Sequence, residues 1–595
     1  MKHIKLTILI ATFLSIISCN DNFLELQPSD AISEVSVWQD IDLIELYVNA
    51  RYNELPHGFP QWAGGLRMTG ITDESYHMHE ARFLDKYTQG GLTSGSLNMY
   101  YFNGFWLDAY IAIRNNNIFL ENISSFTEGE EERIKVLTAE TRFLRAYFYN
   151  ELISRYGASR DESGNFLATT LGVPLTKTTF NLNESFDLPR ATLEECIAFI
   201  VQELDLAIAD LPNKAEGTGS GFGRLTKGAA MGLKIRALLF DASPLYNQTL
   251  NLSKWQSVAD ACEELFSLNE YSLSADYKGL FLNPMDSEIL FFKQFIGQFG
   301  FEDLSADNVE DFYYHYTGGH NINQWRFPNG DGGWISENPR QDFVDQYETL
   351  SGQIPVTGYS GSDATNLTQD INSLATDYDP NNPYNNRDPR LGYSVLYDEA
   401  TFKGRALEFW DGGQDSRDPI IDNSNNGSRL GYGIRKALDE TWTQGVSVGS
   451  NQPWIYMRLA EFYLTYAEAK YNLGDHGTAE TYVDLVRTRV GMPAIASSLT
   501  GMDLLDKIKH ERKIELAFEG NRWYDARRWQ DAETDFAQDI IAVAVNKDNV
   551  TDDKTYRYFN FDGQTGSRSF PKNHYFWPIP IEETQKSNIT QNPGY

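Results

Sequence analysis

The densest group of reactive side chains lies near the C-terminus, in HERKIELAFEGNRWYDARRW (510–529). Glu511, Glu515 and Glu519 are four residues apart, a spacing that puts three carboxylates on one face of a helix. Arg512, Arg522, Asp525, Arg527 and Arg528 crowd around them. In an active site, such a set would suggest acid–base chemistry. Interleaved with arginine at this density, it is expected instead to be structural: Glu511, Arg512, Glu515, Glu519, Arg522, Asp525 and Arg528 form an ion-pair lattice that ties the last helix to the body. No residue is assigned to catalysis. Cleaving a glycosidic bond requires two carboxylates at a set separation across a sugar, which spacing along a chain does not supply.

Two other regions carry the side chains that bind uncharged, hydroxyl-rich molecules. A pyranose lays its C–H face on Trp or Tyr while Asn, Asp, Gln or Arg take its hydroxyls. An early loop, about residues 56–95, offers Trp62, Asp73, Tyr76, His77 and Arg82. A middle region offers Tyr313, Tyr314, Tyr316, Asn321, Gln324, Trp325, Arg326 and Trp334, with Trp410 further on. The residues singled out as ligand contacts are Trp62, Asp73, Tyr76, Tyr314, Trp325, Arg326 and Trp334. Trp106, inside a helical pattern, is assigned to the core.

Metal and nucleotide chemistry find little support. His77-Met78-His79-Glu80 could present two imidazoles, but zinc takes three or four ligands and no second cluster stands among nine histidines. DYDPNNPYNNRD (377–388) starts like a calcium loop, with Asp377, Asp379 and Asn381 alternating. It lacks the glycine at the sixth position and the bidentate glutamate at the twelfth. Asx-rich turns are expected there, with a structural calcium as the one compatible ion. GTGSGFG is not followed by GK[ST], so no phosphate loop is present. No cofactor is implied.

The elements that must position these residues are mainly helices. Apolar and polar residues alternate at helical spacing around 40–55, 96–123, 128–156, 193–211, 224–247, 253–268, 454–473, 476–490 and 501–530. The pair joined at Gly474-Asp475 has the helix–turn–helix look of a tetratricopeptide unit, with Tyr463, Ala467 and Leu473 facing Ala479, Tyr482 and Val486. From about 270 to 450 the chain is loop-rich, full of Gly, Asn, Asp and Pro with clustered aromatics, which reads as ordered functional surface. Mostly α, with a large irregular region, is the expected class.

Length, charge and cysteines set the outer limits. The 595 residues include 13% aromatics, enough to build a core and too many for a disordered chain. The 83 acidic against 50 basic side chains give a net charge of −33, which repels phosphate backbones and excludes nucleic acid as the main partner. A neutral sugar is indifferent to that field. Cys196 and Cys262 lie in helical runs and read as buried free thiols. Lys2 and Lys5, the apolar run Leu6–Ile17, Ser18 and then Cys19 resemble a bacterial lipoprotein signal, which implies cleavage before Cys19 and lipidation of its thiol.

Several segments together resemble the SusD/RagB family of outer-membrane, nutrient-binding lipoproteins. They run in order from FLELQPSDAIS through YYFNGFWLDAYIAIRNNNIFL, AETRFLRAYFYNELISRYG, GVPL and RLTKGAAMGLKIRALLFDASPLYN. They continue with RDPRLGY, RLAEFYLTYAEAKYNLG and RTRVGMP to ERKIELAFEGNRWYDARRW and FWPIPIEETQKSNITQNPGY. The resemblance covers the whole chain after the signal. It implies a tetratricopeptide-like α/α superhelical body with a loop-rich ligand-binding region. On this reading residues 1–18 are the signal, 19–270 the helical N-terminal part, and 271–595 the C-terminal part with the loop-rich insert, all in one unit. It also implies a lipid anchor on the outer membrane facing the exterior, no enzymatic activity, and a SusC-like TonB-dependent transporter as partner. The implied role is capture of oligosaccharides for uptake. Peptides or other nutrients are the alternative cargo, and a lipid-anchored glycoside hydrolase is the alternative class.

Overall fold

The structure, a computed structural model, describes residues 34–59, 68–78, 81–95, 104–126, 129–180, 188–214, 222–296, 317–318, 322–416, 427–443, 452–495, 499–561 and 567–595. Its helices begin where the sequence supplies a cap. Asp40 accepts from the backbone N–H groups of Asp42 and Leu43 to start α1 (Ile41–Asn53). After α2 (Gly104–Asn122), the acidic first turn Glu131-Glu132 opens α3 (Glu131–Tyr156). Thr192 and Glu195 form a reciprocal capping box for α4 (Leu193–Asp210). Thr226 caps α5 (Lys227–Ala242) and Asn251 caps α6 (Leu252–Ser267).

These helices stand in a row, each packed on the next: α2 on α3, α3 on α4, α4 on α5, α5 on α6. The row does not stop there. α7 (Leu459–Asn472) comes after the long loop-rich stretch, yet it packs directly on α6. Phe266 meets Tyr463 and Tyr466 edge-on at 5.0 and 5.5 Å. α8 (His476–Arg489) then folds back on α7, burying Ala467 against Ala479, Val483 and Val486, with Tyr463 on Tyr482 at 5.0 Å. The irregular region is thus inserted between two consecutive members of a continuous helical row. The largest apolar cluster runs from Trp38 to Ile579, so residues on both sides of position 270 share one core. Trp106 is in it, and so are Cys196 and Cys262, both free thiols. Burial pushes the Cys196 thiol up to about 11.

Strands are short and paired in twos. β1 (Ser75–His77) pairs antiparallel with β3 (Glu337–Pro339), β2 (Ile289–Lys293) with β4 (Trp454–Arg458), and β5 (Ile541–Lys547) with β6 (Lys554–Asn560). Two helical expectations are corrected here. The helix expected over 454–473 begins only at Leu459, because Trp454–Arg458 is claimed by β2, more than 160 residues earlier in the chain. The helix expected over 501–530 is two: α9 (Met502–Glu515) and α10 (Arg522–Trp529). Between them Phe518 (φ 63°) and Gly520 (φ 84°) adopt left-handed backbone, which ends the helix. Glu519 therefore sits in the connecting turn, not on the helical face of Glu511 and Glu515.

Candidate functional site

The C-terminal charges assemble a buried lattice. Arg390 reaches Glu511 at 2.5 Å, Glu515 at 2.9 Å and Asp388 at 2.7 Å. Arg458 bridges Glu288 and Glu515, both at 2.6 Å, and Glu519 at 2.8 Å. The turn thus brings Glu519 to the same cation from outside the helix. Arg487 joins Glu511 to Glu348, and Arg489 joins Glu288 to Glu515. A second set lies around α10, where Asp525 accepts from Arg512 at 2.7 Å and Arg528 at 2.8 Å, and Arg528 also takes Glu468. Burial raises the Glu511 carboxyl, but the Arg390 and Arg487 guanidinium groups outweigh it and hold it down at about 2. Glu515 is likewise held well below the usual range against its burial by Arg489, Arg458 and Arg390. A general acid near neutral pH needs the opposite shift, so this cluster does not supply one.

Asp73 belongs to the same system. It is 5% exposed, with Arg522 on both oxygens at 2.8 and 3.0 Å and Lys513 at 2.7 Å. The expectation of Asp73 as an open ligand contact is corrected: its carboxylate is consumed by cations 440 or more positions away in the chain. Glu74 beside it accepts from the Phe518 N–H at 2.8 Å. Burial raises the Glu74 carboxyl to about 7, and the Asp73 charge pushes in the same direction.

The two aromatic loop regions turn out to be neighbours. β1, from the early loop, and β3, from the middle region, pair Tyr76 with Asn338 and His77 with Glu337. Alternation along β1 sends successive side chains to opposite sides. Tyr76 enters a core cluster and meets Phe561 edge-on at 5.2 Å, so it too is corrected from ligand contact to core. His77 approaches Trp325, ring to ring at 6.2 Å.

Immediately before β3 the chain makes a tight loop from Trp325 to Ser336. Both the Ser336 N–H and its hydroxyl donate to the Trp325 carbonyl at 2.8 Å. The Ile335 N–H reaches the Phe327 carbonyl at 3.2 Å, and the Gly333 N–H the Pro328 carbonyl at 3.0 Å. A Cβ at Gly333 would collide with the Phe327 carbonyl oxygen, so only glycine closes this loop. Outside it, Arg405 bridges Asp331 and Asp415, while Asp415 also accepts from the Gly330 N–H at 3.1 Å. Below it, Arg326 pairs with Glu337 at 2.6 Å and donates to the Lys436 carbonyl.

On this frame Trp334 is half-buried, its ring standing on the edge of Trp325 at 4.9 Å and 80°. Trp325 is 2% exposed and Arg326 3%. Both are therefore corrected from ligand contacts to supports, since packing and an ion pair occupy them. Among the described candidates, Trp334 is the one left at the surface. Trp410 is also half-buried, with the Lys547 ammonium 4.9 Å over its ring. Cys19, Trp62, Tyr313, Tyr314, Tyr316 and Asn321 lie outside the described residues, as do the side chains of Arg82 and Gln324.

Spacing alone did not single out Gly333, Arg405 or Lys436. The one available signal was NGDGG (329–333) directly before Trp334, a turn rich enough in glycine to fold back beneath an aromatic ring. At 377–388, Asp377 accepts from the Ser351 N–H and hydroxyl, and Asp379 from the Asn381 N–H and the Asn382 amide. The Asp379 contacts form an Asx turn, as expected, whereas Asp377 ties the segment to Ser351 in a distant part of the chain. Among the described residues no group of three or more His, Cys, Asp or Glu is placed to hold a metal ion.

Two family models match this chain. One, described as the SusD family, covers residues 288–595, and the other, described as starch-binding and associating with the outer membrane, covers residues 22–239. A SusD-like protein of Formosa agariphila is 23% identical over 517 residues, spanning 82% of this chain and 79% of its own length. Among solved structures, a SusD-like protein from Bacteroides fragilis superposes with a TM-score of 0.73 at 26% identity, over 96% of this chain and 100% of that one. A SusD-like carbohydrate binding protein from the same species gives 0.70 at 24% identity, over 93% and 99%.

Proposed function

The chain belongs to the SusD family, and from that premise we propose that it binds glycans at the outer surface of the cell without cleaving them and passes them to a SusC-like TonB-dependent transporter. The observation that carries this reading is Trp334: an indole kept at the surface by a loop that only glycine can close, backed edge-on by a buried second indole. A ring held in one orientation before ligand arrives loses little freedom on binding, and stacking of a sugar's C–H face on it adds to the area buried. The charge of −33 does not oppose a neutral ligand. The outer-membrane, starch-binding description of the model matching residues 22–239 and the carbohydrate binding named for the B. fragilis relative point the same way. Lipidation at Cys19 would tether the chain beside its transporter.

The test is a panel of polysaccharides in affinity electrophoresis with the soluble chain from residue 20, the same samples being assayed for released reducing sugar. Retardation by one or more glycans without sugar release is the expected result. Sugar release would replace the reading with a hydrolase, and retardation by none would move the cargo to peptides or other nutrients.

A further inference from the structure

Past the end of α8, the N-terminal part of α9 faces the hairpin of Val356–Ser360 and Thr368–Ile371 across a cleft of about 780 Å³. That volume falls within the roughly 300–1,000 Å³ of pockets that enclose a small ligand. Trp334 and the other residues weighed as sugar contacts do not line it.

The walls are aliphatic. Ile354, Val356, Pro493, Ala494 and Ile495 supply them, and none of the described residues lining the cleft is aromatic. A sugar ring therefore finds no face to stack on here. Apolar surface continues around the opening: Leu374, 68% exposed, and Met502, 61% exposed, lie within two positions of the lining residues Asn372 and Asp503.

The basic groups of the lining are already matched. Arg487 takes Glu348 and Glu511, each at 2.8 Å, and Lys507 takes Glu348. The His510 Nε2 meets the Gln346 carbonyl at 2.8 Å, and burial lowers the pKa of that ring, so it carries no charge at neutral pH. Asp503 and Asp506 line the cleft from α9, both exposed and neither paired with a cation among the described residues. Asp503, in the first turn, complements the helix dipole; Asp506 is a turn further on, where that effect has faded. Aliphatic walls thus stand beside uncompensated negative charge.

The free hydrogen-bonding groups suit an amide backbone. The Gln353 side chain lines the cleft without a partner among the described residues, and it offers both donors and an acceptor. The strand that gives Val356 and Thr357 to the wall pairs with Thr368–Ile371 on one side and with no described strand on the other. A strand open along one edge can take an extended peptide as a further strand.

We propose that this cleft binds a free peptide of a few residues in extended form, with aliphatic side chains against Ile354 and Ile495 and a lysine or arginine beside Asp503 and Asp506. Alternation along an extended chain sends neighbouring side chains to opposite sides, which separates the aliphatic from the basic contacts. A cleft of this size fits a short peptide and not the broad face of a folded partner. The site is independent of glycan capture at Trp334 and adds a second class of ligand to the chain.

The test uses the soluble chain from residue 20 and two labelled pools of end-blocked pentapeptides. Both pools carry leucine or valine around the centre, where one has lysine and the other glutamate. Fluorescence anisotropy at low salt is expected to show the lysine pool binding about tenfold more tightly, a preference that shrinks as salt rises. Asp503→Asn with Asp506→Asn is expected to bring the two pools within about twofold of each other. The charge of −33 attracts any cation, so a variant that fills the cleft separates this site from the general field. Ala494→Trp is expected to weaken the lysine pool about tenfold, while Trp334→Ala leaves it unchanged. Equal affinity for both pools, binding of neither up to about 1 mM, or a preference that survives either the paired Asn change or Ala494→Trp overturns the proposal.

Discussion

The ion-pair lattice and the aromatic loop make opposite uses of their residues. In the lattice, Glu288, Glu511, Glu515 and Arg390 are almost fully withdrawn from water, and each charge is held by two or more partners. Such a network gains little over apolar packing when complete, but losing one member leaves several buried charges under-compensated. In the aromatic loop the charges are few and lie outside and below it, at Arg405 and Arg326, while glycine and backbone hydrogen bonds bring one indole to the surface. The region densest in reactive residue types is thus the one least available to a ligand. Among the described ligand-contact candidates the accessible group is the Trp334 ring, and its neighbour Trp325 is spent on supporting it.

The comparison breaks most sharply at Arg458. Arg458→Ala takes a shared cation from Glu288, Glu515 and Glu519 at once, leaving them to Arg489, Arg390 and Lys436, and we expect a loss of about 3–5 kcal/mol or complete failure to fold, read from urea unfolding. A loss below about 1 kcal/mol would mean that the lattice is loosely solvated and the contrast false. Trp325→Ala should cost about 3–4 kcal/mol, because the ring is core despite its place beside Trp334. Binding would weaken as well, since Trp334 loses the edge it stands on. Unchanged stability would put Trp325 back among the ligand contacts.

Acidity distinguishes the segments that dock on the lattice from the lattice itself. Glu511, held at about 2, contributes stability that is present above the unfolded carboxylate value and is lost as pH falls from about 4.5 towards 2. Glu74 has the opposite sign. Raised to about 7, it keeps a proton in the folded chain that the unfolded chain has already released, so its contribution declines as pH rises from about 4.5 to 7. Glu74→Gln should therefore gain stability relative to wild type between pH 5 and pH 8, by at most about 3 kcal/mol. The same difference at both pH values would contradict the assignment.

Much of the helical row was legible because it is locally encoded. The starts expected near 40, 193, 253 and 476 fall within a residue of those observed, where Asp40, Thr192 with Glu195, Asn251 and Asp475 cap the helices. What escaped depends on distant partners. Trp454–Arg458 has the apolar character of a helix start until β2 claims it. Asp73 resembles a sugar contact until Arg522, 449 positions later, takes it. Tyr76 and Trp325 share a residue type and a region with Trp334, and only pairing of β1 with β3 decides which ring is core and which is displayed. The seven lattice residues were recognisable as a charged group by composition. Their partners Glu288, Arg390, Arg458 and Arg487 were not, being scattered over 200 positions.

The most direct test of the account is to measure the affinity of Trp334→Ala for whichever glycan the wild-type chain retains, alongside its melting temperature. A ring displayed for binding, and not for packing, predicts at least a tenfold loss of affinity, about 1.4 kcal/mol. The melting temperature should stay within about 2 °C of wild type. Undiminished affinity with the same stability would contradict the claim that this indole is the glycan-binding surface.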